Sequence, residues 1–173
     1  MSSRRKAREA VLKALYLSES RIMSVDDAFR EMAAVDTEME TMAGEEDVES
    51  LKPFSLGLDQ EERAFALQLA RKVESNRNAL SDLIRPVLKN WDLERISRID
   101  RIILWIAVAE MQHVLDVPPV VAVNEAIELA REFSSQKSPS FINGVLDAIA
   151  RSLGVNLKKT ESGIQKIEYK RKN

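Results

Sequence analysis

The sequence predicts an all-α protein, and three observations carry that expectation. Glycine and proline occur only five times each in 173 residues, so the breaks that short strands and tight turns require are few. No stretch alternates apolar with polar residues long enough for a convincing sheet, whereas apolar residues recur at three-to-four spacing in segment after segment. The hydrophobic fraction of 45% is enough to fill the core of one domain, or of two small halves sharing one.

The first helix is expected from about Ser3 to Ser18, with Ala7, Val11, Leu12, Leu15 and Ala14 along one face. Its opening turn carries Arg4, Arg5, Lys6 and Arg8. Cations there oppose the helix dipole, a placement that favours a functional over a structural reason. Ser24 and Asp27 have capping-box spacing before Phe29 and Met32, which predicts a second helix ending near Val35. The acidic stretch that follows reads as a solvated loop. Asp59 and Glu62 are another capping box, opening a long helix with Phe65, Leu69, Val73, Leu80 and Leu83 inward and Pro86 as its limit.

From Leu93 a strongly apolar, central helix is expected, with Ile96, Ile99, Ile103 and Ile106 in line. Pro118 and Pro119 should stop it and force an extended segment before a helix from Val121 to Phe133. Residues Ser134 to Ser140 read as a turn, and Phe141 opens the last helix. Gly144 inside that helix is costly relative to alanine and is expected to permit the close approach of a neighbouring helix. Gly154 ends it, and the basic tail beyond is expected to be disordered at its tip.

A formal net charge of -2 argues against nucleic acid only if charge is evenly spread. It is not. Cations gather at the start and again at Lys158, Lys159, Lys166, Lys170, Arg171 and Lys172, while the tract from Asp36 to Glu49 holds seven carboxylates and no Lys or Arg. There is no cysteine, which removes disulfides and thiolate metal sites and suits a reducing, cytoplasmic setting. The start is broken by Arg8, Glu9 and Lys13, so no signal-peptide core is expected, and no run of eighteen apolar residues suggests a membrane span.

The search for chemistry returns little. His113 is the single histidine, and its simpler reading is a surface side chain at a helix end. Phosphate-cradling glycine loops, nucleophile elbows and paired metal-binding histidines are all missing from the sequence. No catalytic residue, metal site or cofactor is therefore expected. Trp91 and Trp105 read as core. The arginines of the first turn suit phosphate through forked hydrogen bonds. Phe141 suits either the core or, at a helix head, an aromatic platform for single-stranded RNA.

Four segments taken in order carry a resemblance: Arg4-Arg-Lys-Ala-Arg-Glu-Ala-Val-Leu-Lys-Ala-Leu-Tyr16, Trp91 to Leu104, Val117-Pro118 with Val123-Asn-Glu-Ala-Ile-Glu-Leu-Ala130 and Phe133, and Phe141-Ile-Asn-Gly-Val-Leu-Asp147. Together they resemble the NusB family of transcription antitermination factors across most of the chain. The resemblance implies two small helical bundles packed side by side, which we divide as residues 1–89, with an acidic loop near 36–57, residues 90–157, and a basic tail 158–173. It also implies a role in which the factor, with ribosomal protein NusE, binds boxA-containing single-stranded RNA. Together they join the RNA polymerase antitermination complex that resists termination, notably in ribosomal RNA synthesis.

By position, the resemblance assigns RNA binding to Arg4, Arg5, Lys6, Arg8, Lys137, Ser138 and Phe141, the basic start and the turn forming a two-part surface. It assigns partner binding to Tyr16, Glu94, Ile99 and Asp100. Some family members pair and thereby cover the RNA edge, so a homodimer is one resting state it allows. The acidic tract, the charged tail after Leu157 and Pro139 in the RNA-edge turn depart from the family pattern. Two alternatives compete: a relative of the NusB-like domain of an RNA cytosine methyltransferase, which needs a glycine-rich cofactor domain these residues do not include, and a protein-only helical scaffold.

Overall fold

Helical periodicity in the sequence becomes helix in space. The structure, a computed structural model, describes residues 3–41, 55–88, 92–114, 117–155, 157–159 and 165–167. The chain divides by its contacts into residues 1–74 and 75–173, and each unit is described by itself.

In the first unit, α1 (Ser3–Arg21) packs on α2 (Val25–Thr41), and α3 (Gln60–Ile84) begins here and continues past the division. The α1 stripe is as expected: Ala7, Val11, Leu12, Ala14 and Leu15 are buried. Its end is a Schellman motif, in which the Met23 amide donates to the Ser18 carbonyl at 3.1 Å. The left-handed residue of that motif is Ile22, at φ 54°, where glycine is the usual occupant.

The Ser24 cap forms, its hydroxyl accepting from the Asp27 amide at 3.1 Å, but α2 runs on to Thr41 rather than ending near Val35. The acidic residues at its end are thus helical up to Thr41. Asp36 is tied down, accepting from the Ser55 hydroxyl at 2.5 Å and the Leu56 amide at 2.8 Å. A carboxylate that sequence assigned to a loop instead fixes the chain's return toward α3. Residues 42–54, the rest of that loop, lie outside the described residues. The second capping box is complete: the Asp59 amide donates to Glu62 Oε2 at 2.9 Å and the Glu62 amide to Asp59 Oδ1 at 2.8 Å. Arg71 chelates Asp26 through Nε, at 3.0 and 3.2 Å, and through Nη2.

In the second unit, α3 stops at Ile84, and a 3-10 turn, Arg85–Val87, takes up Pro86. Another 3-10 turn, Leu93–Arg95, precedes α4 (Arg98–His113), so the apolar helix starts five residues later than its hydrophobic pattern suggests. The reason is a cap: the Ser97 hydroxyl accepts from the Asp100 amide at 3.1 Å. Trp91 lies outside the described residues. Trp105 is core, its Nε1 donating to the Ser81 hydroxyl at 3.0 Å, with the Arg77 and Arg101 guanidinium carbons 5.5 and 5.3 Å from its ring.

Both proline expectations need correction. Pro118 and Pro119 do not hold an extended segment up to Val121; Pro119 is the first residue of α5 (Pro119–Phe133), where a missing amide hydrogen costs nothing. Likewise α6 (Ser138–Ser152) begins three residues before Phe141 and takes Pro139 into its first turn. Helices α4, α5 and α6 pack on one another around Ile102, Ile103, Leu104, Ile106, Leu129, Ile142 and Leu146. Gly154, at φ 75°, ends α6 with the Schellman bond from the Val155 amide to Ala150.

Beyond it, Leu157–Lys159 (β1) and Gln165–Ile167 (β2) pair antiparallel, with Leu157 opposite Ile167. Three-residue strands are too short for alternation to reveal, so this ribbon was not visible in the sequence. The tip of the tail is outside the described residues. Among the described residues no helix is long and apolar enough to cross a membrane.

Candidate nucleic-acid interface

The basic start is not one uniform patch. Arg4 and Lys6 are exposed on the first turns of α1, and Arg5 is half-buried with Nε 3.8 Å from Glu9 Oε1. Arg8 is only 2% exposed. Its guanidinium carbon lies 5.7 Å from the centre of the Phe65 ring, and that of Arg4 lies 5.2 Å from the same ring. Phe65, on α3, is itself half-buried. Apolar periodicity places Phe65 on the inward side of its helix and does not reveal this contact. Its only advance signal was an aromatic one turn after a capping box, which does not say what covers it.

In the second unit, the turn before α6 is built on Asp100, 8% exposed near the start of α4. Its Oδ1 accepts from the Ser134 hydroxyl at 2.7 Å and its Oδ2 from the Ser138 hydroxyl at 2.9 Å. Ser138 is also 3.0 Å from the Ser134 hydroxyl and 2.9 Å from that of Ser135. Ser138, assigned to RNA by resemblance, is therefore buried and points at a carboxylate assigned to a protein partner. Lys137, the N-cap of α6, stands exposed beside it.

Phe141, one turn into α6, is half-buried and lines an open cleft of about 660 Å³ with Val87, Leu88, Val145, Ala148 and Arg151. Gly144 borders that cleft too, and a Cβ built on it meets nothing within 4 Å. Among the described residues the expected close approach of a second helix at Gly144 is not seen.

Of the other residues that the resemblance assigns to a protein partner, Tyr16 on α1 is 43% exposed and Ile99 is half-buried. Glu94 is exposed and takes a hydrogen bond from Arg85 Nη2 at 2.9 Å. Hydrogen bonding with the Asp92 side chain, then with Arg85 and its own backbone amide, holds the Glu94 carboxyl down at about 2. His113 ends α4 on the surface. Among the described residues no group of three or more His, Asp or Glu side chains is placed to hold a metal ion.

These features define a class: a small protein built on helices whose described residues include a cationic helix start and, in the second unit, a serine-lined turn leading to the Phe141 cleft. A family model described as "NusB family" matches residues 5–151, and the chain belongs to that family. It is 38% identical over 153 residues to the transcription antitermination protein NusB of Geotalea daltonii, covering 88% of this chain and 97% of that one. The NusB of Clostridium botulinum is 35% identical over 83% of this chain and 96% of its own.

Among solved structures, that of T. maritima NusB superposes with a TM-score of 0.68 at 29% identity, covering 87% of this chain and 92% of the other. A structure of antitermination factors NusB and NusE in complex with dsRNA matches with a TM-score of 0.68 at 20% identity, over 88% and 98% of the two chains, and this likeness supports the fold.

Proposed function

We propose that this chain is an RNA-binding transcription antitermination factor that acts with NusE on boxA RNA and joins the complex that makes RNA polymerase resist termination. The observation that carries the reading is similarity, over 83–88% of this chain and 96–97% of theirs, to relatives named for transcription antitermination. A solved structure of the same fold is that of antitermination factors NusB and NusE in complex with dsRNA. Physical support comes from Arg4 and Lys6, which stand exposed at the positive end of α1, where cations cost stability and a phosphate would offset that cost.

In this reading the exposed and the buried residues act differently. Arg4, Lys6 and Lys137 offer exposed charge to phosphates, and Phe141 offers part of a ring to a base. Arg8 and Ser138, both buried, act through what they hold: Arg8 against Phe65, Ser138 against Asp100. Tyr16 in the first unit, and Glu94 and Ile99 in the second, offer side chains to the protein partner. A titration of boxA-like single-stranded RNA with and without NusE tests the reading. Binding should be weak alone, tighter with NusE and steeply weakened by salt. Failure to bind RNA in either condition would refute it.

A further inference from the structure

We propose that Phe65 is a positioning residue for RNA binding: its ring holds the Arg4 guanidinium in place for phosphate and, with Arg8, forms a cation stack that locks the basic start. The inference rests on the RNA-binding reading above and adds to it a residue from a different helix. Two guanidinium carbons, at 5.2 and 5.7 Å, share one aromatic ring. Both distances are inside the range in which a cation is attracted to the ring's negative face.

The arrangement answers a physical problem. Arg4 and Arg8 are like charges one helical turn apart, at the end of α1 where the dipole is already positive, and both placements are unfavourable. Arg8 is in addition almost completely buried, and a buried cation requires compensating partners. The Phe65 ring supplies attraction to both. The two cations differ in what remains open to them: Arg8 is enclosed, while Arg4 stays exposed above the ring.

An exposed arginine on a flexible stem loses rotamer freedom when it grips a phosphate. One already resting on a ring has lost part of that freedom on folding. Stacking occupies the face of a planar guanidinium and not its N–H edges, so stacking and forked hydrogen bonding to phosphate are compatible. Phe65 then raises affinity without touching RNA, and its effect depends on an aromatic face rather than on apolar volume.

The test compares the whole protein with Phe65→Leu and Phe65→Trp, titrated with a labelled boxA-like single-stranded RNA. Circular dichroism and thermal melts establish that each variant is folded. Phe65→Leu is expected to weaken RNA binding about fivefold, the equivalent of about 1 kcal/mol, while Phe65→Trp binds within about twofold of the parent, because a larger ring keeps its cation-attracting face. In an Arg4→Ala background the Phe65→Leu change should cost little more, since the group it positions is gone.

Parent-like binding by Phe65→Leu overturns the proposal and leaves the RNA reading intact. Equal losses for Leu and Trp, or full additivity with Arg4→Ala, also overturn it, because they point to fold or volume rather than to the stack. Absence of RNA binding by the parent protein overturns the RNA reading and this inference with it.

Discussion

Replacing Asp100 with alanine removes the acceptor on which the turn before α6 is built. The carboxylate is 8% exposed and takes one hydroxyl donor on each oxygen, from Ser134 and Ser138. A hydrogen bond to an ionised group contributes about 1.5–3 kcal/mol. The two serines retain each other and Ser135, so the loss is expected to fall short of two full bonds, at about 2–4 kcal/mol. For a chain of this length each kcal/mol moves Tm by about 2–4 °C, which gives a fall of roughly 4–16 °C. Asp100→Asn keeps the shape and one acceptor oxygen, and should cost about half as much.

Urea denaturation and thermal melts of the two variants provide the stabilities, and titrations with RNA and NusE show where function goes. Because the turn carries Lys137 and leads to Phe141, Asp100→Ala should weaken RNA binding, while Asp100→Asn retains NusE binding within about twofold, roughly 0.4 kcal/mol. Stability within about 0.5 kcal/mol of the parent together with unchanged RNA affinity would refute the role assigned to the turn. A loss confined to NusE would show instead that Asp100 acts by direct contact.

Ile22 sits in left-handed backbone at φ 54° and is 95% exposed. Ile22→Gly should therefore relieve about 1–2 kcal/mol of strain, offset by about 0.5–1 kcal/mol of added chain entropy, and raise Tm slightly; a lower Tm would contradict the backbone assignment. Gly144→Ala meets open space in the middle of a helix and should raise stability by about 1 kcal/mol in chemical denaturation; destabilisation would mean that something packs there. Arg71, by hydrogen bonding, holds the Asp26 carboxyl below its usual range. Its folded value is depressed, so the stability it adds is present above the ordinary aspartate value, about 3.9, and is lost as pH falls through the lower folded value. The Tm difference between the parent and Arg71→Ala should accordingly be largest near neutral pH and shrink in strong acid; a constant difference would argue against the linkage.

What sequence could show here depended on whether the deciding interaction was local. Capping boxes at Ser24 and Asp59 were legible because cap and partner lie three residues apart. The buried stripe of α1 was legible from its spacing. Charge alone places the end of α2 near Val35, whereas the helix runs on to Thr41 and Asp36 is held by Ser55 and Leu56 nineteen and twenty residues away. Pro119 and Pro139 read as breaks in the sequence, although proline is equally at home in a helix's first turn, where both stand.

The same division applies to the interface. Charge at Arg4 and Lys6 could be read directly, and their exposure agrees with a binding role. Burial of Arg8 beneath the contact with Phe65, and of Ser138 on Asp100, arises between segments 57 and 38 residues apart in sequence. No local pattern contains it.

The central claim, that exposed cations on α1 and at the head of α6 bind single-stranded RNA, is tested most directly by anisotropy titrations at two salt concentrations, with NusE present and absent. Each phosphate neutralised on single-stranded RNA contributes about −0.7 to the slope of log affinity against log salt, so contacts from Arg4, Lys6 and Lys137 predict a slope of roughly −2. Replacing Arg4 and Lys6 together by alanine should flatten that slope to about −0.7 without loss of helicity. A salt-independent affinity, or a double variant that keeps the parent slope, would contradict the account.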